Sequence, residues 1–175
     1  MLGKSMKLHI GGEQFKEGWQ ILNIHSGPYT DFEGSVTDLS QFEGHTVSEI
    51  YASHVFEHLG HREELPLALA QCHRILNTGG ALRISVPDIA KLASLFITPG
   101  LSLNHRYEIM LMIFGGQLDN YDFHKTGIFE DLLVRYLNFA GFKKIKKVDE
   151  FGLFDDASSM RFDGLLISLN LIAVK

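Results

Sequence analysis

The sequence predicts a three-layer, doubly wound α/β domain whose sheet has about seven strands, mostly parallel, with an antiparallel pair at the C-terminal end. Three observations predict it. Residues 47–88 read as strand, helix, turn and strand without interruption, which is the half-unit of a parallel sheet. A second helical pattern follows at once, giving two βα units in a row. Near the end of the chain Ile167, Leu169, Leu171 and Ala173 alternate with the period of a strand.

Taken in order, residues 8–10 form a short apolar strand that runs into Gly11 and Gly12, and residues 20–24 form a second one after Gly18 and Trp19. About eight residues separate the two, fewer than the dozen a crossover helix takes. The first crossover is therefore predicted to shrink to a turn, with Trp19 as a core plug beneath it. Ser26, Gly27 and Pro28 leave only a tight link to a third strand at residues 29–33. Val47, Ile50 and Tyr51 lead a fourth strand, and Ala52, Ser53 and His54 stand where it stops.

Glu63, Glu64 and Pro66 open a helix with Leu65, Leu69, Cys72 and Leu76 along one face, ended by Gly79 and Gly80. Leu82, Ile84 and Val86 alternate through the next strand, and Asp88 after Pro87 is placed to cap a helix carrying Ile89, Leu92, Ala93 and Phe96. Residues 99–105 and 115–126 read as loops around a short helix at 106–114, whose Met110, Met112 and Phe114 are expected in the core. Phe129, Leu132, Leu133, Tyr136, Leu137 and Ala140 recur at helical spacing, with Gly141 as the left-handed cap. Residues 143–148 form an edge strand blunted by lysines, and the aromatic run at 151–154 is expected to wrap the last helix.

A chain of 175 residues with 45% hydrophobic content builds one sizeable core, hence a single domain over 1–175. Its formal charge of -5 and the lack of a long basic block argue against nucleic acid as a partner. One cysteine, Cys72, excludes an internal disulfide and suits a reducing compartment. No apolar run approaches the roughly 18 residues of a membrane span, and the N-terminal MLGKSMKLHI lacks the apolar centre of a secretion signal. A cytoplasmic protein without membrane contact is the expectation. Two missing crossover helices leave part of a sheet face uncovered, which predicts a homodimer.

Two segments carry candidate chemistry. His54 to His58 spells H-x-x-E-H, in which two histidines a helical turn apart can hold zinc while the glutamate activates water. That hydrolase arrangement needs a long helix and a further ligand, whereas here the motif follows a strand directly and Gly60 breaks the turn, so no metal site is expected. Packing and capping of the loop by Glu57 and His58 is the plainer alternative. The second segment, Asn120, Tyr121, Asp122, Phe123, His124 and Lys125, lies in a loop long enough to reach a crevice mouth.

The succession LHIGG, GW, LNI, DFEGSVTDLSQF, IYASHVFEHL, CHRILNTGGALRISVPD, NFAGF and ISLNLIAVK resembles the class I S-adenosylmethionine-dependent methyltransferases, in particular a compact branch of them. It covers residues 8–175. The resemblance implies S-adenosylmethionine as cofactor, with Gly11 and Gly12 as the loop that lets bare backbone approach its methionine end. Glu13 stands where the family pattern has another glycine. Asn23 stands for the acid that chelates the ribose hydroxyls, and Ser35, with the backbone of Val36, for the acid that meets the adenine. Ser53 and His54 take the place that contacts the methionine moiety, with His54 as candidate catalytic base, while His124 and Asp122 are placed to meet the acceptor.

Charge-assisted hydrogen bonds are worth about 1.5–3 kcal/mol against about 1 for neutral ones, so these replacements imply weaker cofactor binding. The activity implied is methyl transfer to a small-molecule or glycan-pathway acceptor. The eroded cofactor positions imply the alternative, a methyltransferase-like binding or assembly protein without turnover.

Overall fold

The computed structural model describes residues 5–175; the first four residues of the N-terminal segment read above lie outside it. Nine strands and four α-helices follow in the order β1 (Met6–Ile10), β2 (Trp19–Asn23), β3 (Phe32–Glu33), β4 (Val47–Ser53), α1 (Glu64–Ile75), β5 (Leu76–Pro87), α2 (Ile89–Phe96), α3 (Leu103–Phe114), α4 (Glu130–Phe139), β6 (Lys143–Val148), β7 (Arg161–Phe162), β8 (Leu165–Leu166) and β9 (Ser168–Val174). Seven of the strands build one sheet in the order β3-β2-β1-β4-β5-β9-β6, and β7 and β8 form a separate hairpin. β9 runs antiparallel to both β5 and β6, while β1 to β5 are mutually parallel. The predicted doubly wound fold with its antiparallel closure is the one observed.

Strand alternation divides the sheet into two chemically different faces. Leu8, Ile10, Ile50, Ala52, Leu82, Ile84, Leu169 and Leu171 point to one side, where they join Leu65, Leu69 and Cys72 of α1 and Leu133 and Leu137 of α4 in the main core. Cys72 is fully buried, and burial pushes its thiol up to about 12, which leaves it a small inert hydrophobe. The opposite face carries His9, Tyr51, Ser53, Ser85 and Asn170.

Two crossovers are indeed reduced to loops, and the face they leave is covered from within the chain by residues 149–160. Phe154 stacks against His9 at 4.1 Å, Tyr51 at 4.8 Å and Trp19 at 5.4 Å, and Phe151 meets Tyr51 at 5.5 Å. Asp156 locks this loop down by accepting from the Tyr51 hydroxyl at 2.7 Å and the Ser53 hydroxyl at 3.1 Å. The aromatic run therefore seats on the sheet rather than on the last helix. The uncovered face from which a homodimer was expected is taken up by this loop.

Several boundaries differ from the expectation for physical reasons. α1 ends at Ile75, and Gly79 and Gly80 lie inside β5, where the pairing register with β4 shifts. A Cβ on Gly80 would meet the Asn77 and Ser48 carbonyl oxygens at 2.9 and 3.0 Å, so the glycine serves close backbone approach and not a helix cap. The third strand keeps only Phe32 and Glu33, because the chain turns at Pro28 and Tyr29. α3 starts three residues early, at Leu103, capped by the Ser102 hydroxyl, and its Phe114 faces solvent.

Within this aromatic cluster His9 is buried edge-on against Tyr51, with its ring centroid 5.0 Å away. Burial pushes its pKa down to about 4, against a smaller upward pull from Asp156. The unfolded chain binds a proton near pH 6.5 that the folded chain refuses, so stability from this group is complete above that pH and is lost as the pH falls towards 4. Denaturant unfolding across this window is expected to show His9→Leu losing less stability than the parent chain, by on the order of 2–3 kcal/mol. Parallel curves would refute the assignment.

Candidate functional site

A cavity of about 380 Å³ opens at the carboxyl ends of β1, β2 and β4, the crevice where doubly wound sheets bind ligands. Gly11 floors it. Its φ of +73° is left-handed, its N–H donates to the Leu22 carbonyl at 2.8 Å, and a Cβ there would lie 2.5 Å from Val55 Cγ2. Glycine takes this bend without strain and keeps the backbone open to a ligand. Leu22, Val36, Val55 and Leu59 give the cavity an apolar wall, while Asn23, Ser35, Thr37, His54, His58 and Asp122 line it with polar groups.

Of the residues expected around the cofactor, Gly11, Glu13, Asn23, Ser35, Val36 and His54 lie on this wall. Gly12 is buried against the His9 ring and borders a neighbouring recess. Asn23 donates from Nδ2 to the Gly12 carbonyl at 3.1 Å and accepts from the His25 N–H at 3.0 Å, so its amide straps the glycine loop as well as facing the cavity. An aspartate could not make the first of these bonds. Ser35 shares a 2.8 Å hydrogen bond with the Thr37 hydroxyl. Ser53 is the correction: its hydroxyl donates to Asp156 on the far face of the sheet and takes no part in the cavity wall.

His54 leaves β4 with a φ of +54°, a costly conformation for a non-glycine residue and one that cannot continue the strand. Its Nε2 lies 2.9 Å from Ser168 Oγ, which itself donates to the Ala157 carbonyl at 2.7 Å, so Nε2 carries the proton and donates. Nδ1 faces Glu57 at 3.6 Å. Burial, reinforced by His124, drives its pKa down to about 4. The ring is neutral, with Nε2 held by Ser168 and Nδ1 keeping its lone pair on the Glu57 side.

Glu57 and His58 sit on a single 3₁₀ turn, Phe56–His58, rather than within a long helix. Loop 115–126 docks on that turn: the N–H groups of Lys125 and Thr126 donate to the Glu57 carbonyl at 2.8 and 3.1 Å, and Thr126 Oγ1 donates to the Leu59 carbonyl at 2.6 Å. His124 is thereby carried to 4.8 Å from the His58 ring. It lies behind the cavity wall, whereas Asp122 lines the cavity and ties its own loop by accepting from the Leu118 N–H at 3.2 Å. Burial lowers the pKa of both His58 and His124. Glu57 is wholly buried, which pushes its carboxyl up to about 8.

Two features went unread in the sequence. His25 meets Asp119 at 3.6 Å and Tyr121 edge-on at 5.3 Å, an exposed contact between the β2 exit and loop 115–126 at the cavity rim. Asp156 anchors the covering loop; its signal was the Asp156-Ala157-Ser158 order of a local cap, which the Asp156 carboxylate realises by accepting from the Ser158 N–H at 2.9 Å.

A protein-family model described as a methyltransferase domain matches residues 14–84, from the first crossover through the strand after the H-x-x-E-H turn. The chain has the class I methyltransferase fold. A S-adenosylmethionine-dependent methyltransferase from Archaeoglobus fulgidus superposes with a TM-score of 0.60 at 16% identity, covering 99% of this chain and 87% of that one. A S-adenosylmethionine-dependent methyltransferase from Thermotoga maritima gives 0.54 at 13% identity, covering 100% and 84%. Human N-acetylserotonin methyltransferase, solved with S-adenosylmethionine, gives 0.55 at 13% identity, and the methyltransferase-fold chain spans 47% of its length. A sequence search of curated proteins gives no match. The likenesses to solved structures show the fold, and the family model places a methyltransferase domain over part of the chain.

Gly11→Ala puts a methyl group into Val55 and forces an unfavourable φ, at a cost of about 1–2 kcal/mol in the backbone alone. Calorimetric titration with S-adenosylhomocysteine is expected to show at least roughly tenfold weaker binding to this variant. Unchanged affinity would separate the glycine from the cofactor.

Proposed function

We propose that this protein methylates a small, hydroxyl-rich acceptor, a small molecule or glycan-type compound, with S-adenosylmethionine as donor. The observation that carries the reading is a cavity at the parallel strands' carboxyl ends whose floor is a left-handed glycine, where a side chain would be strained and would press on Val55. The residues present suit the donor: open backbone at Gly11, the outward-facing part of the Asn23 amide, an apolar slot between Leu22 and Val36, and hydroxyls at Ser35 and Thr37. When bound, S-adenosylmethionine supplies a methyl group on a positively charged sulfur. Glu13, an exposed carboxylate at the rim, suits the donor's ammonium group better than its carboxylate.

The acceptor side is built from loop 115–126. Asp119, Asn120 and Asp122 present carboxylate and amide oxygens to the cavity, the groups that hydrogen-bond neighbouring hydroxyls. Charge disappears as a sulfonium gives up its methyl, so alignment of donor and acceptor in the cavity supplies the acceleration, and a strong base is secondary. Asp122 is the one of the cavity-lining carboxylates that we assign to accept the hydroxyl proton. The neutral His54 ring holds the wall behind it.

Titration calorimetry with S-adenosylmethionine and S-adenosylhomocysteine tests the reading directly: micromolar dissociation constants for both are expected. Folded protein that takes up neither at millimolar concentration would overturn it. With an acceptor in hand, Asp122→Asn is expected to lower kcat by about 10²-fold or more with little change in donor affinity, and an unchanged kcat would remove Asp122 from proton transfer.

A further inference from the structure

Glu57 raises a problem that methyl transfer does not answer. The residue is 1% exposed, and neither carboxylate oxygen has a hydrogen-bond partner. A buried carboxyl without partners is costly, and the surroundings that should relieve it are acceptors. His54 Nδ1, His124 Nε2 and His58 Nε2 stand 3.6, 3.9 and 4.0 Å from Glu57 Oε1, too far for hydrogen bonds. The proton positions on two of the rings are fixed by other contacts. His124 donates from Nδ1 to the Met112 carbonyl at 3.0 Å, and His54 donates from Nε2 to Ser168. The remaining nitrogen of each presents a lone pair towards Glu57.

Imidazole lone pairs converging with a carboxylate on one point are what a borderline-soft divalent cation requires. Ligand atoms of Glu57, His58 and His124 all lie within 4.8 Å of one another. Ligands at 2.0–2.2 Å around a tetrahedral zinc ion are about 3.4 Å apart, so the carboxylate-to-ring distances must close by about half an ångström and the widest separation by up to about 1.4 Å, which rotations of the His58 and His124 rings can share. The Nδ1–H bond from His124 to a carbonyl is the outer support that metal-bound histidines characteristically carry. His58 brings a partly exposed ring from the cavity wall.

We propose that Glu57, His58 and His124 form a site for a divalent first-row transition cation of the zinc type, with its fourth position open to the cavity beside His54. This is a different ligand set from the H-x-x-E-H hydrolase pattern. The carboxylate is a ligand and not the base, and the second histidine comes from loop 115–126. The open position takes an oxygen donor from water or a small ligand in the cavity. The site stands on its own geometry and is independent of whether the chain transfers methyl groups.

The test uses the full chain, stripped with chelator and titrated with Co²⁺ alone, followed by absorption in the visible range, with Zn²⁺ as competitor. One equivalent of Co²⁺ is expected to bind, with the intense bands of a four- or five-coordinate site, and to be displaced by Zn²⁺. Zn²⁺ is expected to raise the melting temperature of the parent chain. His124→Gln and His58→Gln are each expected to weaken Co²⁺ binding by roughly 10–100-fold. His58 is partly exposed, so His58→Gln keeps the test decisive should His124→Gln fail to fold. Folded parent protein that binds no Co²⁺, or equal binding by the parent and His58→Gln, would overturn the proposal and leave Glu57 as a buried, protonated carboxyl.

Discussion

The site depends on one small backbone interaction, the Glu57 carbonyl accepting two N–H groups from Lys125 and Thr126. It fastens a long loop to the turn that ends β4. From that fastening follow the position of His124 behind the cavity, the position of Asp122 on its wall, and the reach of Asp119 and Tyr121 to His25 across the mouth. Thr126 Oγ1 on the Leu59 carbonyl and His124 on the Met112 and Phe114 carbonyls add to it, holding residues 115–126, which contain no regular secondary structure of their own. The turn can offer its carbonyl only because His54 takes up a left-handed conformation, which ends the strand abruptly and starts the 3₁₀ turn. Strain at His54 and burial of Glu57 are thus two parts of one local arrangement.

The second constraint is economy. A doubly wound sheet needs both faces covered, and this chain has no helix between β1 and β4. The answer is the 149–160 loop, which lays Phe151 and Phe154 on Tyr51, His9 and Trp19 and pins itself with Asp156. The same network draws the Ser53 hydroxyl away from the cavity. Substitution of a crossover helix by a loop therefore has a chemical consequence at the site: one of the polar groups at the exit of β4 is used to hold the cover in place.

The features legible in the sequence were those fixed by local pattern. The period-2 runs of β4, β5 and β9, the helical spacing of α1 and α4, the Gly141 cap and the Gly11 bend all rest on neighbouring residues, and they stand where expected. What escaped were pairings across long separations. Nothing local tells that the carbonyl of Glu57 will accept from Lys125, that Asp156 will claim Ser53 and Tyr51, or that Gly79 and Gly80 lie in a strand because the Ser48 backbone passes close by. Asn23 shows the same limit in miniature. Beside a family pattern it reads as an eroded acid, while the structure gives its amide a strap to the Gly12 carbonyl that no acid could make.

The central claim is that S-adenosylmethionine lodges between Gly11, Leu22, Asn23 and Val36 at the end of the parallel strands. Amide chemical-shift mapping with S-adenosylhomocysteine reads this position most directly. The largest shifts are expected at Gly11, Asn23, Ser35 and Val36, with smaller ones in loop 115–126. Shifts confined to other surfaces, or none in a folded protein at millimolar ligand, would contradict the account.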